Sequence, residues 1–441
     1  MVPVSISRSK AGAALRLALR LLRWAGLGAL AATALVLFLP PSCGRRGAPG
    51  PAPQVVHGRS ALSVVAEGAL RAGAARVPIL LEPGMSLAGY PARRHAQAGG
   101  ETLYARALVV EAGGVRAGVQ IVVALETMLV PGSLEEEVLR RAGLPPSTCL
   151  LLAATHTHSG PGGTWNNALA ELAGNGRYDE RERDLIAQAA AAAIAQATSQ
   201  LGPARLSWAQ APWPEGPARL RSGGSLDTEL TALQFTRPDG QAVAMLVDYA
   251  MHPTVEPRTR EQPGADWPGR AAALFEERSK APLLVLQGAS GNASPDHVHS
   301  AAELGAAVAG HASELLAGAA PRETARLQCE VRLVALPPAQ AGFHLPWPLR
   351  RGASNLLSLF AEPWTVQTRL QLADLELLGV PGEPVGALGL AARAKAGRPL
   401  ALVGLADDYV GYIEEPARLE MGEGEAPRTY HGSGLAEALG L

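Results

Sequence analysis

Residues 149–163, CLLLAATHTHSGPGG, decide how the rest of the chain is read. The first six, Cys149 to Ala154, are apolar or small and predict a strand covered on both faces. The run ends in His156-Thr-His158, and two side chains spaced by two point the same way while the backbone stays extended. Zinc takes neutral imidazole nitrogens at about 2.0–2.1 Å, and Gly160, Gly162 and Gly163 let the backbone turn close to an ion.

Working outward, apolar runs at 107–110, 119–124, 242–249, 282–286, 370–380 and 400–405 predict further covered strands. Helices are expected at 180–201, 269–278 and 301–317, the first made of the best helix formers. This alternation implies a layered α/β domain with a mostly parallel or mixed sheet. Polar groups end several strands: His252 after 242–249, Ser294 after 282–286, Glu383 after 370–380, and Tyr409 and Tyr412 after 400–405. Ligands of open α/β sheets bind at the carboxyl ends of strands, so these groups can converge on one metal site there. Each has a plainer use as well. His252 could cap a strand, Ser294-Pro295 could form a turn, Glu383 could start a helix, and the tyrosines could be core residues with a wet hydroxyl. A lone HxH is weak; metallo-β-lactamase-like enzymes continue it with Asp-His, whereas Ser159-Gly160 follows here.

The 441 residues are 47% hydrophobic, enough for a sizeable core, and carry a net charge of −1. Seven Arg or Lys and no acid lie in residues 1–46, which leaves 32 basic against 40 acidic residues in the rest. That acidic body argues against a nucleic-acid partner, which needs a clustered basic face. The basic start runs into the uncharged stretch 24–39, so residues 1–40 read as a signal peptide or a transmembrane anchor. Everything after Pro40 is expected on the exported side, in the cell envelope or secreted. Cys43 is a possible but poorly framed lipidation site, residues 41–54 form a Gly/Pro-rich linker, and 55–441 form the body of the protein. Cys149 and Cys329 could make one bridge, but Cys149 sits in an apolar run and reads as a buried free thiol. Residues 337–364 concentrate aromatic and apolar side chains in a chain only 4% aromatic. They suit equally a lid or acyl-chain groove and a loop packed under the domain.

In order along the chain stand THTHSGPGG, the HPT after a strand, Gln287 with Gly291-Asn-Ala-Ser294-Pro295, PGE at 381–383, and a tyrosine pair. With Met85-Ser-Leu-Ala-Gly-Tyr90 before them, they resemble the neutral/alkaline non-lysosomal ceramidase family, from about 85 to 430. The resemblance implies a Zn2+ ion held by His156, His252, Glu383 and Tyr412. It also implies Ser294 as nucleophile or water-orienting group, Arg221 (less well Arg219) as substrate contact, and Tyr430 as oxyanion support. His158 maps on the family's second histidine and suits a proton-transfer role. The match covers the family's N-terminal catalytic domain and not its C-terminal immunoglobulin-like domain. Asn292, Asp296 and Glu126 depart from the usual Asp, Asn and Asp, residues 422–427 look inserted, and the intervals from His252 to Ser294 and on to Glu383 are short.

The resemblance therefore implies a zinc-dependent hydrolase that cleaves the amide of ceramide or a related N-acyl lipid. Its rivals are a metal-dependent hydrolase of another amide or ester and a zinc-holding envelope protein without turnover. The expected partners are a lipid-like N-acyl substrate and, through the first segment, a membrane.

Overall fold

The computed structural model describes residues 53–441, apart from 92, 115–117, 168 and 169. The expected leader or anchor, most of the linker and Cys43 lie outside them. Among the described residues no helix is long and apolar enough to cross a membrane.

The chain enters on an 18-residue strand, β1 (Leu62–Ile79), and β2 (Leu103–Ala112), β3 (Gln120–Leu125) and β4 (Cys149–Ala154) follow beside its second half. A separate sheet ordered β8-β7-β6-β5 comes from β5 (Arg205–Pro212), β6 (Glu229–Thr236), β7 (Ala242–Tyr249) and β8 (Leu283–Gln287). Four later strands rejoin the first sheet: β9 (Thr324–Ala335), β10 (Trp364–Leu372), β11 (Leu375–Gly379) and β12 (Leu400–Val403). They complete the order β12-β11-β10-β9-β1-β2-β3-β4.

Strand direction follows from what connects the strands. The parallel neighbours are β3/β4, β7/β8 and β11/β12. Each pair brackets a helix: α1 (Gly132–Ala142), α3 (Asp266–Ser279) and α6 (Gly386–Ala396), with α2 (Glu180–Ser199), α4 (Ala301–Leu316) and α5 (Trp347–Leu357) elsewhere. A parallel return needs such a crossover, whereas a short turn forces antiparallel pairing. The sheet is accordingly mixed, the second of the two forms that the sequence left open. The strands that make it antiparallel, β1, β5, β6, β9 and β10, lie largely outside the continuous apolar runs. In β9, for example, Arg326, Gln328 and Glu330 alternate with the buried Leu327, Cys329 and Val331. The run at 370–380 likewise divides into β10 and β11, because Ala373 takes a left-handed φ of 59° and Asp374 completes a turn.

The large sheet curls until β4 faces β10: Thr368 Oγ1 donates to the Leu150 carbonyl at 3.0 Å, and the Leu152 N–H to Asp407 Oδ1 at 3.2 Å. Inside the curl one core joins Leu108 and Leu151 to Leu327 and Leu370 and to Leu246 and Leu284 of the second sheet. Cys149 and Cys329 meet there and are bonded, with Cα atoms 6.0 Å apart. This corrects the free-thiol reading. Both sulfurs are buried as expected, but burial is visible locally, whereas the curl joining residues 180 apart is not. On the outer face α2 is capped by Asp179, whose side chain accepts the Arg181 N–H at 2.9 Å. Its Ile186, Ala190 and Ile194 pack over β1–β3. The helix lies so close that a Cβ at Gly73 would come 2.2 Å from the Ala197 carbonyl oxygen.

The entry of the described chain is tied to the site's end of the molecule by Asp408. Its carboxylate accepts the Gly132 N–H at 2.9 Å and the Thr365 hydroxyl at 2.8 Å, and pairs with His57 Nε2 at 3.2 Å. Burial by itself would lower the His57 pKa, but Asp408, with Glu362 and Glu135 behind it, raises it to about 9. A folded-state value above the unfolded 6.5 stabilises the fold fully below pH 6.5, and the contribution disappears as pH rises through 9. The stability difference between the native protein and His57→Gln should therefore shrink by on the order of 2 kcal/mol between pH 6 and 9.5. Urea unfolding at the two pH values measures it, and a difference that stays constant refutes the pair's contribution.

Candidate metal centre

The carboxyl ends of β4, β7, β8, β11 and β12 open into one cavity, and the chain leaving each carries a candidate group. His156 follows β4 with a left-handed φ of 68°, a conformation that aims its ring inward. Its Nδ1 lies 2.7 Å from the Met128 carbonyl, and His252 Nδ1 lies 2.7 Å from the Ser290 carbonyl. A carbonyl can only accept, so each Nδ1 carries its ring's proton and each Nε2 presents a lone pair.

Those two Nε2 atoms are 3.2 Å apart, and Glu383 Oε2 lies 3.3 Å from one and 3.2 Å from the other. Tyr412 Oη is 3.2 Å from His252 Nε2. Four donors held at about 2.0–2.1 Å by a tetrahedral ion stand roughly 3.3–3.4 Å from one another, so the donor set fits zinc in both chemistry and edge length. Glu383 Oε2 is buried and accepts no hydrogen bond, and lone pairs facing a carboxylate at this range repel unless a cation lies between them. Tyr409 donates to the other Glu383 oxygen at 2.8 Å and so orients the carboxylate.

Burial would raise Glu383, and only imidazoles carrying a second proton would hold it well below the usual carboxylate range. Burial depresses His252 despite the Glu383 carboxylate beside it. It depresses His158 more strongly, with the neighbouring imidazoles adding to the effect. Tyr412 and Tyr409 are pushed well up by burial and by Glu383, and Tyr430 by the same causes to about 12.

His158 Nε2 lies 3.4 Å from His156 Nε2, and the imidazoles of His156, His158 and His252 form a group that could itself hold a metal ion. Gly89 packs on it so closely that a Cβ there would sit 2.4 Å from the His158 carbonyl oxygen. Arg94 donates to that carbonyl at 2.5 Å. The segment at 85–90 is thus a brace for the second histidine.

Ser294, Arg221 and Tyr430 line the same cavity. Arg221 reaches Tyr412 Oη at 3.5 Å, whereas Arg219 turns away to the carbonyls of Gly216 and Ala218. Sequence reasoning missed Glu425, wholly buried in the segment read as an insertion. It accepts from Arg221 at 2.9 Å, from Ser222 at 2.6 Å and from Arg428. It also missed Arg258 and Arg428 on the cavity wall. An isolated arginine in a loop carries no sequence signal for such a place. In the segment 337–364, Phe343 packs on Leu419 and Ala426, while Leu357 and Phe360 line a second cavity that shares Tyr409 and Tyr430 with the first.

The crystal structure of neutral ceramidase from Pseudomonas aeruginosa superposes with a TM-score of 0.72 at 20% identity, over 84% of this chain and 73% of that one. A ceramidase complexed with C2 gives 0.70 at 20% identity, over 84% and 74%. At that identity the likeness is one of fold. Residues 82–334, more than half of the chain, match the neutral/alkaline non-lysosomal ceramidase family, N-terminal. The protein is a member of the neutral/alkaline non-lysosomal ceramidase family, with the mixed α/β fold of its solved relatives.

Proposed function

We propose that this chain is a zinc-dependent amidohydrolase that cleaves the amide of ceramide or a related N-acyl lipid. The observation that carries the reading is the set of edges of 3.2–3.3 Å linking His156 Nε2, His252 Nε2, Glu383 Oε2 and Tyr412 Oη, of which the three among the imidazoles and the carboxylate have no proton to hold them together. A zinc ion bound there supplies a Lewis acid for the acyl carbonyl and lowers the pKa of water from 15.7 towards about 7.

The remaining steps belong to side chains. His158, whose Nε2 lies 3.4 Å from His156 Nε2, takes the proton of the attacking water and returns it to the leaving nitrogen. Ser294 orients the nucleophile from the cavity wall. Arg221 and Tyr430 donate hydrogen bonds to the oxygen as negative charge develops on it. The products are a fatty carboxylate and the free amine. The export expected from the basic, apolar start is supported by the Cys149–Cys329 bond, which suits an oxidising compartment.

Metal content of the purified protein, with fatty acid release from ceramide measured with and without chelator, tests the reading. His158→Ala should keep its zinc and lose on the order of 10²–10⁴ in kcat, the range for a positioned acid–base group. Loss of metal in that variant would make His158 a ligand instead, and undiminished turnover after complete metal removal would end the proposal.

A further inference from the structure

Three guanidiniums line the metal cavity, those of Arg221, Arg258 and Arg428, and Glu383 is the one carboxylate among the lining residues. Behind the wall Glu425 is shared by Arg221 and Arg428, so two cations divide one negative charge. Both stack on Tyr412, at 5.8 and 5.7 Å from its ring centre. Arg258 lies over the Tyr90 ring at 5.2 Å and, among the described residues, forms no ion pair. With a divalent ion on the floor the cavity carries a clear excess of positive charge.

That excess exceeds what the chemistry of amide cleavage asks for. The oxyanion of the transition state forms at the floor, where His156 and His252 are 0–1% exposed, and Arg221 suffices there. Arg258 and Arg428 sit instead at the exposed rim. An uncharged amide with hydroxyl groups alone would leave Arg258 without an ionic partner and Arg428 with only its share of Glu425. A carboxylate or phosphate would take paired, charge-assisted hydrogen bonds from them.

We propose that the substrate of this site is an N-acyl amide whose amine half carries an oxyanion, read by Arg258 and Arg428 at the cavity rim. The proposal rests on the hydrolase reading above and narrows its substrate class from neutral ceramide to an anionic N-acyl lipid. The carboxylate of an N-acyl amino acid and the phosphate of a ceramide phosphate share this chemistry, and the assay separates them.

The full-length, zinc-loaded protein in detergent is assayed on N-palmitoylglycine, ceramide 1-phosphate, N-palmitoylethanolamine and ceramide of one acyl length. At least one anionic substrate should exceed its uncharged counterpart about tenfold or more in kcat/KM, chiefly through KM. In Arg258→Gln/Arg428→Gln that ratio should fall to near one. Binding to metal-free protein, followed by tryptophan fluorescence, gives a readout without turnover or zinc: N-palmitoylglycine should bind tighter than N-palmitoylethanolamine, and added salt should abolish the difference. An uncharged substrate preferred by the native protein, a ratio unmoved by the double substitution, or equal binding of the two probes overturns the proposal. Absence of turnover on all four amides counts against the hydrolase reading, while the binding comparison still decides the anion preference.

Discussion

His252→Ala and Glu383→Ala proteins should purify without stoichiometric zinc and release fatty acid no faster than the chelated native enzyme. Four-ligand zinc sites bind with about 10–16 kcal/mol, so one donor in four corresponds to roughly 3–4 kcal/mol, on the order of 10²–10³ in affinity. Loss of His252 removes three of the short edges at once, to His156, to Glu383 and to Tyr412. Loss of Glu383 removes the charge that balances the ion. Thermal unfolding separates this from misfolding. The native protein should gain stability as zinc is added, in proportion to the logarithm of its concentration, and each variant should need on the order of 10²–10³ times more zinc for the same gain. A variant that still binds one equivalent tightly, or keeps native turnover, would remove that residue from the proposed ligand set. Tyr412→Phe is the milder member of the series, since three donors remain and water can take the fourth place.

The parts of this centre that could be read in the sequence are those that sit where strands stop. His156, His252, Ser294, Glu383 and Tyr412 each follow a run whose composition marks it as buried, and parallel strands deliver their carboxyl ends to one side. Helices α3 and α4 lie within three residues of expectation, because their apolar faces and the Ser300–Glu303 capping box are local signals. One kind of information was out of reach and another was passed over. The carbonyls of Met128 and Ser290, which set the tautomers of both histidines, belong to the backbone and leave no trace in residue identity. The strands that turn the sheet antiparallel are polar on one face, so a search for continuous apolar runs passes over β1 and β9, although period-two alternation would have found both. Glu425 fell in a segment that looked dispensable. Its total burial beneath three donors shows the segment braces Arg221 from behind.

The second large effect expected is on stability, from Cys149→Ser/Cys329→Ser. The bond closes a separation of 180 residues, for which chain-entropy arguments give about 5 kcal/mol and experience with real bridges roughly 2–5. Both cysteines are buried in the core shared by the two sheets, at 2% and 1% exposure, so two serines there also bury hydroxyls among leucines and push the result towards the upper figure. Urea unfolding of metal-free protein, native against double variant, isolates the bridge from any contribution of zinc. A change below about 0.5 kcal/mol would mean the curl of the sheet is held by packing alone. The active centre should be less affected than the fold. Cys149 starts β4 and His156 follows its far end, and seven residues of extended chain span roughly 20 Å. Under conditions where the variant remains folded, its zinc affinity and kcat should therefore stay within about twofold of native. Mild reductant should leave the native protein active too, because the sulfurs are reached only once the core opens. Loss of metal in a still-folded double variant would instead make the bridge part of what positions His156, through the strand that joins them.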